Sequence, residues 1–326
     1  MESPNAANVL CDRLSRRRRR RGARRRVVHR SAGRYTGRSD NDAGDGEPPA
    51  GRREDPGLAR TTLSTLDRIK AQGERFAVLT AYDASFAAMM GPAGISVVLV
   101  GDSLGMVVQG RGATTPVTLD EMVYHTHCVA RGIGEGAADA PLIMADLPFM
   151  TYATPQDAAR SAAALMRAGA SVVKLEGGAW LADTVCFLAE RGIPVCAHLG
   201  LTPQTTDMLG GYKVQGKTDE SAARIVSEAT LLDAAGARLV LLECVPDAVG
   251  RAVRETVAAP LIGIGAGPHT DAQVLVLHDM LGLSPGRKAR FVKNYLAGRD
   301  SAQAAIAAFA EDVRSGAYPA PEHCYG

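Results

Sequence analysis

The sequence predicts an α/β chain closed into a (β/α)8 barrel, and three observations predict it. Apolar runs of strand length alternate with helical patterns at a spacing of about 25–35 residues from residue 61 onward. Hydrophobic residues make up 46% of the chain and aromatics only 5%. The core is therefore mostly Ala, Val, Leu and Ile, which suits parallel strands covered by helices. Seven or eight strand–helix units in about 260 residues point to a closed barrel rather than an open doubly wound sheet. No strand runs directly into GxGxxG, and GIGAG at 263–267 lacks the third glycine of a dinucleotide site.

The elements follow in order. TTLSTLDRIKAQGE reads as a short helix capped by Thr65 or Ser64 and ending near Gly73. FAVLTAYD (76–83) is the first strand, and SFAAMMGPAG a short helix with a Gly/Pro stop. ISVVLVGDS (95–103) is the second strand, followed by the loop LGMVVQGRGATTP. TLDEMVYHTHCVARGIG is a helix with Thr118 as cap and Glu121 at capping-box distance. PLIMADLP (141–148) is the third strand, and TPQDAARSAAALMRAGA a helix opened by Thr154 with Pro155 at its first position. SVVKLEGG (171–178) is the fourth strand, with WLADTVCFLAERG as its helix. IPVCAHLGL (193–201) is the fifth, followed by the glycine-containing loop TPQTTDMLGGYKVQGKT and the helix DESAARIVSEATLLDAAGA. ARLVLLECV (237–245) is the sixth, with PDAVGRAVRETV as its helix, and APLIGIGAG (259–267) is the seventh. The eighth falls within TDAQVLVLHDMLG, around Val274 to His278, and KNYLAGRDSAQAAIAAFAEDVRSG is helical.

The net charge of +2 hides two unlike parts. Residues 1–60 hold 16 Arg, no Lys and 8 acids; of the chain's 37 basic and 35 acidic residues this leaves 21 and 27 for residues 61–326. The first 60 residues, with arginines unbroken from Arg16 to Arg21, have no hydrophobic periodicity and read as a disordered extension. Binding to nucleic acid or an anionic surface, an organelle transit peptide, and an extension without function compete there. The acids weaken the transit reading, and with it a mitochondrial location. No aromatics interleave the arginines, so nucleic acid is not an expected partner. No apolar run reaches the roughly 18 residues that span a membrane. Six cysteines form no CxxC pair, which fits a reducing compartment and a cytoplasmic protein.

Four acids stand where four apolar runs stop: Asp102, Asp146, Glu176 and Glu243. Burying an unpaired carboxylate is expensive, so these positions call for a reason. At the carboxyl ends of barrel strands they share one mouth. Asp102 and Asp146, on neighbouring strands, suit a hard cation such as Mg2+, against the plainer role of turn or helix-cap acids. Ser103 either bonds a substrate carboxylate or caps the next turn. Lys174 and Glu176 are two apart and share a face. Lys174 could neutralise an anionic substrate, form a Schiff base, or pair with Glu176. His198 ends the fifth strand, as a polar contact at the same rim or a hydrogen-bonded core residue. Glu243 reads as a general base. His125 and His127 read as structural, and Trp180 as packing. A divalent ion beside a lysine and a base suits enolate formation from a 2-oxo acid, with the loop 202–218 and the GIGAG turn able to close over the site.

VGDSLGMVVQG, MADLPFMTYATP, AGASVVKLEGG, VCAHLGLTPQ, GGYKVQGK, LLECVP and IGIGAG together resemble the ketopantoate hydroxymethyltransferase family, from about Thr61 to Cys324. The resemblance implies a Mg2+-dependent barrel that makes ketopantoate for pantothenate and coenzyme A, with 5,10-methylenetetrahydrofolate as one-carbon donor. It implies Asp102 and Asp146 as metal ligands, with Glu176 completing the metal site. Asp102, Ser103, Asp146 and Lys174 would hold the keto acid and His198 would lie beside it. Glu243 would remove the C3 proton of 3-methyl-2-oxobutanoate. It also implies a homo-oligomer, commonly a decamer, whose C-terminal helix packs on a neighbour. The alternative is a Mg2+-dependent lyase or mutase of the isocitrate lyase and phosphoenolpyruvate mutase type, but their KKCGH-like segment is missing.

Overall fold

Apolar runs with no polar face make strands only where both faces are covered. In the computed structural model, which describes residues 60–285 and 288–326, eight such runs pair side by side in sequence order, and the eighth closes on the first. They are β1 (Phe76–Thr80), β2 (Val97–Val100), β3 (Leu142–Asp146), β4 (Val172–Glu176), β5 (Val195–Gly200), β6 (Leu239–Glu243), β7 (Leu261–Ile264) and β8 (Ala272–Leu275), all parallel. The fold is the expected (β/α)8 TIM barrel. The described residues fall within one unit, Leu58–Gly326. The expected Arg-rich extension lies, up to residue 59, outside the described residues.

Each strand is shorter than the apolar run that announces it. Asp102 stands two residues past β2, whereas Asp146, Glu176 and Glu243 are the last residues of β3, β4 and β6. The eighth strand begins two residues before the expected Val274, and His278 belongs to the following turn of helix instead.

The helices start where side chains can satisfy open N–H groups. α1 (Leu63–Ala71) is capped by Thr62, not by Ser64 or Thr65, which lie inside its first turn; Thr62 and Thr65 bond each other's backbone N–H. α2 (Ala84–Met90) is capped by Asp83. α3 (Leu104–Val107) is a single turn in what the sequence presents as loop. α4 (Leu119–Ile133) opens on the Thr118–Glu121 box, and α5 (Pro155–Arg167) on Thr154 with Pro155 first. α6 (Ala182–Glu190) follows a 3-10 turn, Ala179–Leu181. The loop after β5 carries a 3-10 turn (Pro203–Thr205) and the single turn α7 (Thr206–Leu209) before α8 (Asp219–Ala235). α9 (Asp247–Thr256), α10 (Leu277–Met280) and α11 (Ala302–Ser315) complete the series. Of the expected C-terminal helix, residues 293–301 are not helical. There the Asn294 side chain accepts from the N–H groups of Leu296 and Ala297, and Gly298 takes a left-handed φ of 74°.

The amino-end face is pinned by Asp271, whose side chain is fully buried just before β8. It pairs with Lys70 at 3.3 Å and Arg254 at 2.8 Å and accepts from the Leu261 N–H.

Candidate active site

Register partners in a parallel ladder point the same way, as do residues two apart on one strand. Asp146 pairs with Lys174, and Glu176 with His198. These four side chains therefore share one layer at the carboxyl ends of β3, β4 and β5, and all are buried. Asp102 joins them through its backbone N–H, which donates to Asp146 Oδ2 at 3.1 Å. Glu243 reaches the layer from β6, with Oε2 3.4 Å from His198 Nε2. Its side chain is 13% exposed, the least enclosed of the four acids. Two glycines make the approach possible. A Cβ on Gly101 would come within 2.8 Å of Ser103 Oγ. Gly200 takes φ 89°, and a Cβ there would collide with the Glu243 carbonyl.

Lys174 Nζ sits at the centre of the layer. It lies 3.1 Å from Asp146 Oδ1, 3.3 Å from Glu176 Oε1 and 3.1 Å from His198 Nδ1. An ammonium has three protons and no lone pair, so Nδ1 of His198 is the acceptor and the ring proton sits on Nε2, facing Glu243. The Asp146 contact is an ion pair without hydrogen-bond alignment, and His198 Nε2 likewise faces Glu243 without that alignment. Burial opposes the lysine charge, but Asp146, Glu176 and Asp102 outweigh it and hold its pKa well above the ordinary value. The amine is therefore a fixed cation, which argues against a Schiff base. Burial likewise opposes the Glu176 charge. Lys174 first, with the Gln204 N–H donating to Oε2, brings its pKa down to about 2. Asp102 goes the other way. Burial, then Asp146 and Glu176, push its pKa well above the carboxylate range. Burial also raises Asp146, against the pull of Lys174. Burial pushes the Cys196 thiol, beside Lys174, up to about 12, so it is no nucleophile.

Of the plainer roles weighed for these residues, the pairing of Lys174 with Glu176 is present and the helix caps are not. Ser103 stands at the cap position of α3 but makes no cap bond; its Oγ lies 2.9 Å from the Tyr82 hydroxyl. Asp102 and Asp146 cap no helix, and Asp102 Oδ2 accepts from Gln204 Nε2 at 2.8 Å. His125, as expected, is tied to the scaffold, with Nδ1 2.6 Å from the Tyr82 carbonyl. Trp180 is not core packing: it is 59% exposed and touches the site only by stacking on Tyr152 at 6.1 Å. Among the described residues no three His, Cys, Asp or Glu groups form a ready-made metal cage. What the carboxylates share is a single lysine and too much negative charge.

Three residues outside the sequence-derived set belong to this site. Tyr82 holds Ser103, Gln204 holds the Asp102 and Glu176 carboxylates, and the Tyr152 hydroxyl bonds Gln204 Oε1 and the Glu176 backbone carbonyl. The loop 202–218 lies toward the mouth. Its Gln215 N–H donates to the Cys244 carbonyl, and the Tyr212 hydroxyl lies 3.4 Å from Met106 Sδ. Burial, then the Glu243, Asp102 and Glu176 charges, raise the Tyr212 pKa. Cys244, next to Glu243, holds φ 47°, a strained backbone that such sites tolerate.

Known proteins place the chain. The sequence profile described as Ketopantoate hydroxymethyltransferase matches residues 60–321. The 3-methyl-2-oxobutanoate hydroxymethyltransferase of Marinobacter nauticus is 57% identical over 264 residues, 81% of this chain and 98% of that one. The chain belongs to the ketopantoate hydroxymethyltransferase family. The Chromohalobacter salexigens member is 56% identical over 82% of this chain and its own full length. Membership makes the chain a hydroxymethyltransferase that forms ketopantoate. All four acids, Lys174 and His198 fall inside the stretch that matches the ketopantoate hydroxymethyltransferase profile. A solved structure of phosphonopyruvate hydrolase in complex with oxalate and Mg2+ is similar in fold alone. It has TM-score 0.51 and 13% identity over 66% of this chain and 80% of that one.

Proposed function

We propose that the chain joins the one-carbon unit of 5,10-methylenetetrahydrofolate to C3 of 3-methyl-2-oxobutanoate. Water supplies the hydroxyl oxygen, and the products are 2-dehydropantoate (ketopantoate) and tetrahydrofolate. One observation carries the finer steps: three carboxylates, Asp102, Asp146 and Glu176, are buried in one cluster that holds a single ammonium, Lys174, in contact with the last two. With all three ionised, two negative charges are left over, which a divalent cation would offset.

Asp102 and Asp146 would hold Mg2+ directly. Glu176, whose oxygens already accept from Lys174 Nζ and the Gln204 N–H, would act through water. When bound, the ion would polarise the 2-oxo acid and share the charge of its enolate. Lys174 adds a fixed positive charge beside that enolate. Ser103 Oγ, held by Tyr82, offers a hydrogen bond to the substrate carboxylate. Glu243 takes the proton as the C3–H bond breaks, and the His198 ring beside it steadies the carboxylate. The C3 electron pair then forms the bond to the methylene carbon as one of its two C–N bonds breaks, and water displaces the second folate nitrogen; the two nitrogens leave with the C3 proton and a proton of that water. The loop 202–218 excludes water while the enolate exists.

The bacterial sources of the relatives support a cytoplasmic enzyme and give a mitochondrial one no support. Assembly into a ring of ten is part of the same proposal, read by sedimentation of the purified chain. The deciding experiment is an assay of the purified chain with Mg2+, 3-methyl-2-oxobutanoate and methylenetetrahydrofolate. Ketopantoate should form. Failure to form it, with C3 proton exchange intact, would overturn the folate donor and leave the enolate step standing.

A further inference from the structure

Gln204 stands on the first turn of the loop after β5, and its side chain is buried. Nε2 lies 2.8 Å from Asp102 Oδ2 and 3.0 Å from the Leu147 carbonyl. Oε1 lies 2.5 Å from the Tyr152 hydroxyl, and the backbone N–H donates to Glu176 Oε2 at 3.0 Å. Two acceptors face one end of the amide and a hydroxyl faces the other. Its orientation is therefore fixed, because the reversed amide would set an oxygen against a carboxylate and a carbonyl. One residue on the fifth loop thus bonds the chain ends of β2, β3 and β4.

A carboxylate group turns easily about its last torsion. Asp102 and Glu176 cannot, since one oxygen of each is bonded to Gln204. The opposite oxygen of Glu176 is turned to Lys174. Nothing else bonded to Asp102 Oδ2 does this work, and the bond crosses 102 positions of chain. Gln204 also begins the segment that continues through α7 to Tyr212.

We infer that Gln204 is a positioning residue. By hydrogen bonds to Asp102 and Glu176 it sets the direction of both carboxylates, raises the affinity of the site for a divalent cation, and ties that affinity to the seating of the loop 202–218. The inference rests on the Mg2+ reading of the site.

The test is calorimetric titration of Mg2+ into the full chain without substrate, for the unmodified protein, Gln204→Met, Tyr152→Phe and Asp102→Asn. Gln204→Met keeps the length of the side chain and removes its donors; Mg2+ affinity should fall about 10-fold or more. Tyr152→Phe removes the hydrogen bond that holds Gln204 Oε1, leaves the amide less firmly seated against Asp102 and should weaken Mg2+ in the same direction by less. In turnover, the Mg2+ needed for half-maximal rate should rise by the same factor, while kcat at saturating Mg2+ stays within about twofold. A merely structural role would lower both. Unchanged Mg2+ affinity in Gln204→Met overturns the inference. If that variant does not fold, unchanged affinity in Tyr152→Phe overturns it. Asp102→Asn separates the two readings: if it binds Mg2+ as the unmodified chain does, the metal site itself falls, and the role of Gln204 with it.

Discussion

Glu243 is the least enclosed of the four acids, and the His198 ring faces it at 3.4 Å. That place beside the buried carboxylates supports the proposal that it takes the proton. Glu243→Gln is expected to abolish deuterium exchange at C3 of the 2-oxo acid while binding persists, read by NMR in deuterated buffer; exchange at the ordinary rate would remove it as base. Asp102 and Asp146 make a different expectation. Their folded-state pKa values are raised, by burial first, so between the ordinary carboxylate range and the folded values the native state holds more protons than the unfolded one. Metal-free stability then falls as pH rises through that window. Glu176 has the opposite sign: its contribution is present above the ordinary carboxylate range and fades as pH drops toward about 2. If Mg2+ binds the first pair as proposed it displaces their protons, so the rise in Tm on adding Mg2+ should be larger at about pH 8 than at about pH 5. Asp102→Asn should raise the metal-free Tm by roughly 2 °C or more at the higher pH and lose the Mg2+ effect, checked by scanning calorimetry. The acids were legible in the sequence because a charge that ends an apolar run is anomalous on its own. Gln204 was not. A glutamine in a loop is ordinary, and only the fold brings it to a carboxylate far away in sequence.

At the scale of elements, strand existence was legible and strand length was not. The strand expected over 95–103 forms only over Val97–Val100, where pairing with β3 stops at Val100 and Ala145. The eighth strand was blurred because AQVLVLHDM carries strand and helix patterns in one run; pairing of Phe76 through Leu79 with Ala272 through Leu275 decides it. The end of β5 is where an element most directly supports the chemistry. Gly200 faces Glu243 in the ladder, and its backbone is left-handed. Gly200→Ala should destabilise the fold by about 2 kcal/mol or more, from backbone strain plus the collision with the Glu243 carbonyl. A urea titration measures the loss. Turnover should drop further than the folded fraction does, because β6 must move; equal losses would mean that Glu243 keeps its place.

Over the whole molecule the barrel divides its labour between two ends. The carboxyl end gathers charge that the fold only tolerates, and the amino end gathers charge that closes it. Asp271 is fully buried between Lys70 and Arg254. Asp271→Ala leaves both cations without their partner and the Leu261 N–H without an acceptor. The expected loss is about 3–5 kcal/mol. That should appear as a Tm lower by roughly 6 °C or more, with the Mg2+ response of the remaining folded protein unchanged. Residues 1–59 precede the matched stretch, and we propose that they are dispensable. A chain beginning at residue 60 should keep full turnover, and lost activity in a folded truncation would give the arginines a role.

The order of strands around the barrel has a consequence for its divisibility. Asp102, Asp146, Lys174 and Glu176 arrive on β2 to β4 or just past them, and His198, Gln204 and Glu243 on β5, the loop after it and β6. A cut in the turn between α6 and β5, at Arg191–Ile193, would sort the proposed cation-binding groups into one fragment and the proposed proton acceptor into the other. Neither fragment would hold a working half of the chemistry. The site exists only where the β4–β5 seam is zipped, so recovered turnover from two separately expressed pieces would report their reunion and nothing less.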